Sequence, residues 1–260
     1  MTETLDQMLR RSASTVFQPI FDVRGEDFQV WSVEALTRGP AGTHFEPAAI
    51  LFEYVRLKHE ELRVDRWCIA AALGRYAALD PPSRLSVNVH ASTLERDDTF
   101  AAFIESAAVA VEVDPKLLIL EIVEQSAYFD TGRMQRTIRD LRSLGVAIAV
   151  DDVGLGYGNY RTILDTAPEY LKIDRYFVAS ASADPRRQSL VSSAVRIARD
   201  FGALIVAEGI EDPADLAMLR EMDVALMQGY LLGMPEAIPS FDNVRADSLQ
   251  ATSRAQETVQ

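Results

Sequence analysis

With 260 residues, 48% of them hydrophobic, the chain is long enough for one large α/β domain or two small ones and can bury a sizeable core. Its formal net charge of −13 argues against non-specific binding to nucleic-acid polymers or to anionic membranes, both of which call for basic patches. The single cysteine, Cys68, excludes an intrachain disulfide, no apolar run is long enough to span a bilayer, and Met1-Thr2-Glu3-Thr4 lacks a signal-peptide layout, so a cytoplasmic protein without membrane insertion is expected.

The first strand is predicted at Thr15–Val23. After the turn Arg24-Gly25-Glu26-Asp27 a second follows at Phe28–Leu36. So short a connection holds no crossover helix, which makes the pair antiparallel. Further apolar runs predict strands at Leu85–Val89, Leu117–Ile122, Val146–Val150, Tyr170–Ile173, Ala203–Ala207 and Ala225–Gln228. Helical patterns separate them. Ser92-Thr93-Leu94-Glu95 has the form of a capping box opening a helix that ends near Val109. Met134, Ile138, Leu141 and Leu144 recur at helical spacing before Gly145, as do Leu190, Ala194, Ile197 and Phe201 before Gly202. Asp212-Pro213 reads as an N-cap followed by proline at the first helical position. The stretch after Pro239 is polar and is expected to fray.

Strands alternating with helices point to a (β/α)8 barrel whose first strand runs against the others. A doubly wound open sheet is the alternative, but no glycine-rich dinucleotide fingerprint follows a strand. In a barrel the active face lies at the C-terminal strand ends. From the second strand onward those ends carry Glu34 with Arg38 beyond it, Asn88, Glu121 followed by Glu124, the doublet Asp151-Asp152, Lys172, Glu208 and Gln228. Any one of these alone would fit a solvent-facing strand end, a snorkelling lysine or simple turn chemistry. Together, carboxylates and one amide oxygen make a hard donor set suited to magnesium or manganese, with no histidine or cysteine to favour zinc. Asp151 could bridge two ions, with Asp152 on the second only, an arrangement suited to attack of water on a phosphoryl group. A magnesium-dependent lyase using Lys172 as base is the rival from chemistry alone. His44, His59 and His90 share no ligand spacing, and Cys68 reads as a core thiol.

Ordered motifs now accumulate: Gln18-Pro19-Ile20, Glu34-Ala35-Leu36-Thr37-Arg38, Asn88-Val89-His90, Glu121-Ile122-Val123-Glu124, Asp151-Asp152-Val153-Gly154, Leu171-Lys172-Ile173-Asp174, Glu208-Gly209-Ile210-Glu211 and Gln228-Gly229-Tyr230. In these the chain resembles the EAL-domain family, cyclic di-GMP-specific phosphodiesterases. The resemblance runs over a core of about 15–235 within a domain at 1–240, leaving 241–260 as a polar tail. It implies a modified TIM barrel, an α/β fold with an antiparallel first strand, that opens cyclic di-GMP to linear pGpG. It implies two magnesium or manganese ions per site, inhibition by calcium, and a homodimer. By resemblance Glu34, Asn88, Glu121 and Asp151 hold the first metal, and Asp151 with Asp152 reaches the second. Glu208 stands near the attacking water as general base, metal ligand or both, and Lys172 hydrogen-bonds that water or stabilises charge on the phosphate. Gln18, Leu36, Arg38 and Gln228 line the substrate pocket, with Arg38 on a phosphate, and Glu124 braces the loop after Asp152. That loop departs from the family at Val153, Leu155 and Gly158-Asn159-Tyr160, and Thr37 and Gly39-Pro40 depart after the signature. Weak or absent catalysis, with the domain serving as a cyclic di-GMP receptor or protein-interaction module, is therefore the second expectation.

Overall fold

The computed structural model describes Leu9 and residues 13–79, 83–123, 131–154, 159–239 and 241–245. Eight strands close a barrel: β1 (Ser14–Asp22), β2 (Asp27–Arg38), β3 (Arg84–His90), β4 (Leu118–Val123), β5 (Ala147–Val153), β6 (Tyr170–Ile173), β7 (Leu204–Ala207) and β8 (Leu226–Met227). From β2 to β8 each strand is parallel to the next, whereas β1 is antiparallel to both β2 and β8. The turn at 24–27 forces the chain straight back, so the barrel closes through a hairpin rather than through a crossover. Every expected strand is present, with differences only at the ends.

Helices α1 (Ala48–Leu57), α2 (Glu61–Ala77), α3 (Ala91–Arg96), α4 (Phe100–Val109), α5 (Thr131–Ser143), α6 (Asn159–Thr166), α7 (Arg175–Val178), α8 (Pro185–Phe201) and α9 (Pro213–Glu221) surround the barrel. The two-residue strand period sorts each strand into faces. Leu85, Val87 and Val89 of β3 and Leu118, Leu120 and Ile122 of β4 pack outward against helix residues such as Ile69, Leu94, Ile104 and Leu141. The intervening positions turn inward. A lower apolar layer of Ile20, Ile119, Ala149, Tyr170, Val206 and Leu226 fills the barrel. Two residues further along the same strands stand Glu121, Asp151, Lys172, Glu208 and Gln228. Strand alternation thus puts the polar set on the inner face, above an apolar plug.

Asp212 caps α9 through the Ala214 amide at 2.8 Å with Pro213 behind it, as expected. Gly202 ends α8 at φ +71, again as expected. Four readings need correction. No capping box opens at Ser92: α3 starts one residue earlier, at Ala91, and Thr93 donates to Asp65 instead. The helix expected to continue to Val109 is broken, because Asp97 is held by Arg66 at 2.7 and 2.8 Å and accepts from the Thr99 amide, so α4 starts afresh. On α8 Ala194 and Ile197 of the expected stripe pack against the core beside the fully buried Val191 and Ala198, but Leu190 and Phe201 are 54% and 41% exposed. Past residue 240, Val244 and Arg245 form a short strand, β9, antiparallel to Asp27 and Phe28. At that point the polar stretch is docked rather than frayed. No described helix is long and apolar enough to cross a membrane.

Candidate active site

The centre of the upper barrel is Lys172. Its side chain comes from the third residue of β6, and the residue is 1% exposed. Nζ lies 2.6 Å from Glu121 Oε2, 2.6 Å from Glu208 Oε1, 3.1 Å from Glu34 Oε2 and 3.7 Å from Asp151 Oδ1. Carboxylates from β2, β4, β5 and the end of β7 therefore converge on one ammonium. Amides and a hydroxyl hold the acids in place. Asn88 Nδ2 donates to Glu34 Oε1 at 3.0 Å, and Gln228 Nε2 donates to Glu34 Oε2 at 2.9 Å. Gln228 also donates to Gln18 Oε1 at 3.2 Å, and Gln18 donates to the Gly233 carbonyl at 3.0 Å. Ser86 Oγ donates to Glu121 Oε1.

The doublet Asp151-Asp152 sits on an irregularity. Pairing between β5 and β6 shifts register between Val150 and Val153, and Asp152 has φ +51. In a regular strand neighbouring side chains point to opposite faces. The bulge and the left-handed Asp152 bring both carboxylates to one side, a conformation that Asp tolerates better than most residues. As a result Asp151, Asp152 and Glu208 each offer an oxygen within 4.8 Å of the others.

Electrostatics follow from this crowding. Burial pushes Glu121 up to about 8, with the Glu34 charge adding to it and Lys172 opposing. Asp152 rises to about 6 through burial and its neighbours Asp151 and Asp174. Burial also raises Asp151 and lifts Glu208 well above the usual carboxylate range. Glu34 is the exception. Burial works against its charge, but Lys172, Asn88 and Gln228 together hold its pKa below the ordinary value. Lys172 is desolvated, yet its four acidic neighbours keep it firmly protonated.

Does this centre suit divalent cations? Asp151 Oδ1 is buried without a hydrogen-bond partner. Five carboxylates (Glu34, Glu121, Asp151, Asp152, Glu208) against one ammonium leave a formal −4 when all are ionised, the charge that two divalent ions offset. The donors are hard oxygens. The residues present fit such ions.

Gln18, Glu34, Asn88, Glu121, Asp151, Asp152, Lys172, Glu208 and Gln228 come together at this centre, Leu36 borders it, and Arg38 lines the neighbouring cavity instead; Glu124 lies outside the described residues. Leu36 borders two cavities. One, of about 240 Å3, holds Glu34, Asp151, Lys172, Glu208 and Gln228. The other, of about 430 Å3, lies between the barrel and α1–α2 and contains Arg38 and Asn88 with Phe52 and His90. Arg38 and Lys172 thus line different cavities, with Leu36 common to both. Sequence reasoning passed over Ser86, and it quoted Asp174 in a motif without giving it a role. Each lies two residues from a named site residue, Asn88 and Lys172 respectively, and the strand period offered that signal. The pair His90 Nδ1 and Asp65 Oδ1, at 2.7 Å, was not foreseen either.

Gly229 locks the rim. A Cβ there would lie 2.1 Å from the backbone N and O of Ile210. Gly229→Ala is therefore expected to cost about 1–3 kcal/mol in urea denaturation and to displace Gln228. An unchanged denaturation midpoint would show that this contact yields freely.

A closed barrel with an inward acidic centre at its C-terminal mouth defines a class, the barrel proteins with a cation-suited site for small ligands. Within that class the chain belongs to the EAL domain family, whose model matches residues 2–235. The cyclic di-GMP phosphodiesterase NbdA of Pseudomonas aeruginosa is 32% identical over 177 residues, 68% of this chain and 20% of NbdA. A standalone EAL protein of Vibrio cholerae O395, solved in a c-di-GMP-bound form, superposes with a TM-score of 0.77 at 27% identity, covering 86% of this chain and 92% of that one. Klebsiella pneumoniae BlrP1, solved with manganese and cyclic di-GMP, shares the fold at 24% identity and a TM-score of 0.76, over 90% of this chain and 58% of that one. The chain spans 20% to 28% of the length of the first curated relatives it matches.

Proposed function

We propose that the chain hydrolyses cyclic di-GMP to linear pGpG with magnesium or manganese. The observation that carries this reading is the convergence of Glu34, Glu121, Asp151 and Glu208 on buried Lys172, beside the bulged Asp152. Glu34, Asn88, Glu121 and Asp151 would hold one ion, and Asp151 with Asp152 the second. Such ions, when bound, polarise the phosphoryl group and acidify water.

The chain's own residues do the rest. Glu208, a stronger base than an ordinary carboxylate, accepts the proton of the attacking water. Lys172, fixed by its acidic neighbours, orients Glu208 and offsets charge developing on phosphate. Gln18 and Gln228 brace Glu34 and border the substrate. Leu36 separates the two cavities, and Arg38 reaches a phosphate from the larger one.

The catalytic unit proposed is 1–240, active in the cytoplasm, with calcium as an inhibitory ion. A homodimer is part of the reading: α6, after the loop that follows Asp152, exposes Tyr160 and Leu164, each 70% exposed. Incubation with cyclic di-GMP and manganese is expected to give pGpG, read by ion-exchange chromatography, and EDTA to stop it. Retained binding with no product under any divalent ion would replace the enzyme by a receptor.

A further inference from the structure

The larger cavity, of about 430 Å3, lies outside the barrel wall. Ala35, Val87 and Val89, which line it, are outward residues of β2 and β3. Ala35 follows Glu34, and Val87 and Val89 flank Asn88, so the cavity lies behind two strands that carry site residues. Helices α1 and α2 form the opposite wall through Ala48, Ala49, Phe52, Ile69 and Ala72. Protein interiors are close-packed and keep few voids larger than a water molecule. Here alanines on both walls leave a space in the size range of small-ligand pockets, and most of its lining is apolar.

The polar side chains around this space are engaged with partners, with one exception. Asp65 accepts from the His90 amide at 2.9 Å, from His90 Nδ1 at 2.7 Å and from Thr93 Oγ1 at 2.5 Å. Glu53 pairs with Arg56, Asn88 donates to Glu34 at 3.0 Å, and Thr37 hydrogen-bonds the Cys68 thiol. The exception is Arg38. Its guanidinium makes a single hydrogen bond among the described residues, to the Thr37 carbonyl at 3.3 Å, and no carboxylate of those residues pairs with it. A guanidinium offers five donors in a fixed fork, and one that borders an apolar cavity with most of them unused calls for an anion.

We propose that this cavity takes a small carboxylic acid with an apolar tail, the tail against Phe52, Ile69 and Val87 and the carboxylate on Arg38. The two acids of the lining, Asp65 and Glu53, are each committed to donors of their own, which limits their repulsion of the incoming carboxylate. The same guanidinium serves the substrate phosphate in the reading above, so the acid and cyclic di-GMP compete for it. Only that competition rests on the cyclic di-GMP reading; binding of the acid stands or falls by itself.

Decanoate serves as the probe, with decanol lacking the charge and acetate lacking the tail. Binding to the full chain is measured by calorimetry, and manganese-supported turnover of cyclic di-GMP is measured with and without decanoate. Decanoate is expected to bind more tightly than decanol or acetate by roughly tenfold or more. At about ten times its dissociation constant it should raise KM about tenfold and leave kcat unchanged. Ala72→Leu fills the cavity from α2 and Ala48→Leu fills it from α1. Each is expected to weaken decanoate by roughly tenfold or more while sparing kcat and KM. Urea denaturation checks that each variant folds, and if one does not, the other decides. Absent binding of decanoate, equal binding of decanol, or undiminished binding in a folded, filled variant overturns the site. Decanoate binding with KM unmoved overturns the placement of its carboxylate on Arg38 and leaves the phosphodiesterase reading intact. A wild type that binds decanoate, loses it in the filled variants and turns over no cyclic di-GMP supports the site and sinks the hydrolysis; competition is then read as weakened binding of cyclic di-GMP.

Discussion

Glu34→Ala and Asp151→Ala are each expected to lower kcat on cyclic di-GMP by on the order of a thousandfold or more. Both side chains are inward carboxylates beside Lys172, at 3.1 and 3.7 Å, and they come from strands on different sides of the barrel. Glu34 is the most constrained of the set, because Asn88, Gln228 and Lys172 all bind it. Asp151 carries the buried oxygen with no hydrogen-bond partner, the atom best placed to serve a cation. Loss of either should therefore weaken manganese binding in step with turnover, and calorimetric titration with manganese reads that directly. Glu208→Gln is the contrasting variant. It keeps the shape of the side chain and removes the base, so turnover should fall while nucleotide binding is largely spared. Near-normal kcat in either alanine variant would show that the ligand assignment is wrong.

Lys172→Met is expected to destabilise the metal-free protein by about 3–5 kcal/mol, the usual cost of removing one partner from a buried ionic cluster. The ammonium is the counter-charge in contact with Glu34, Glu121, Asp151 and Glu208. Methionine fills a similar volume, so the loss would be electrostatic rather than a cavity effect. Manganese should recover part of it, since binding to the folded state alone adds stability by mass action. Urea denaturation of both proteins, in EDTA and in manganese, separates the contributions. Equal midpoints in EDTA would mean that the carboxylates take up protons at little cost and that Lys172 is not their structural counter-ion.

Much of the fold can be read from local pattern. Apolar runs marked all eight barrel strands, and the turn at 24–27 made the first pair antiparallel. The errors arose where distant partners decide. Asp97 ends one helix and starts another because Arg66, 31 residues away, holds its carboxylate. On α8, Leu190 and Phe201 fit a helical period, but so do Val191 and Ala198, and only packing against the sheet selects the second set. The doublet Asp151-Asp152 was legible as a cation-attracting pair. The bulge that turns both carboxylates to one side was not, because it lies in pairing with β6 and in the φ of one residue.

By itself the sequence determined the strand alternation, and with it which residues face inward: a two-residue period that places apolar side chains outward leaves Glu34, Asn88, Glu121, Asp151 and Lys172 no other face. Tertiary structure alone decided what those residues do to one another. Lys172 meets Glu34 across 138 residues of chain and Glu121 across 51, and only closure of β1 onto β8 brings Gln18 to Gln228. Charge coupling and desolvation depend on separation through space in a low dielectric, and that separation is set by barrel closure rather than by any local stretch of sequence.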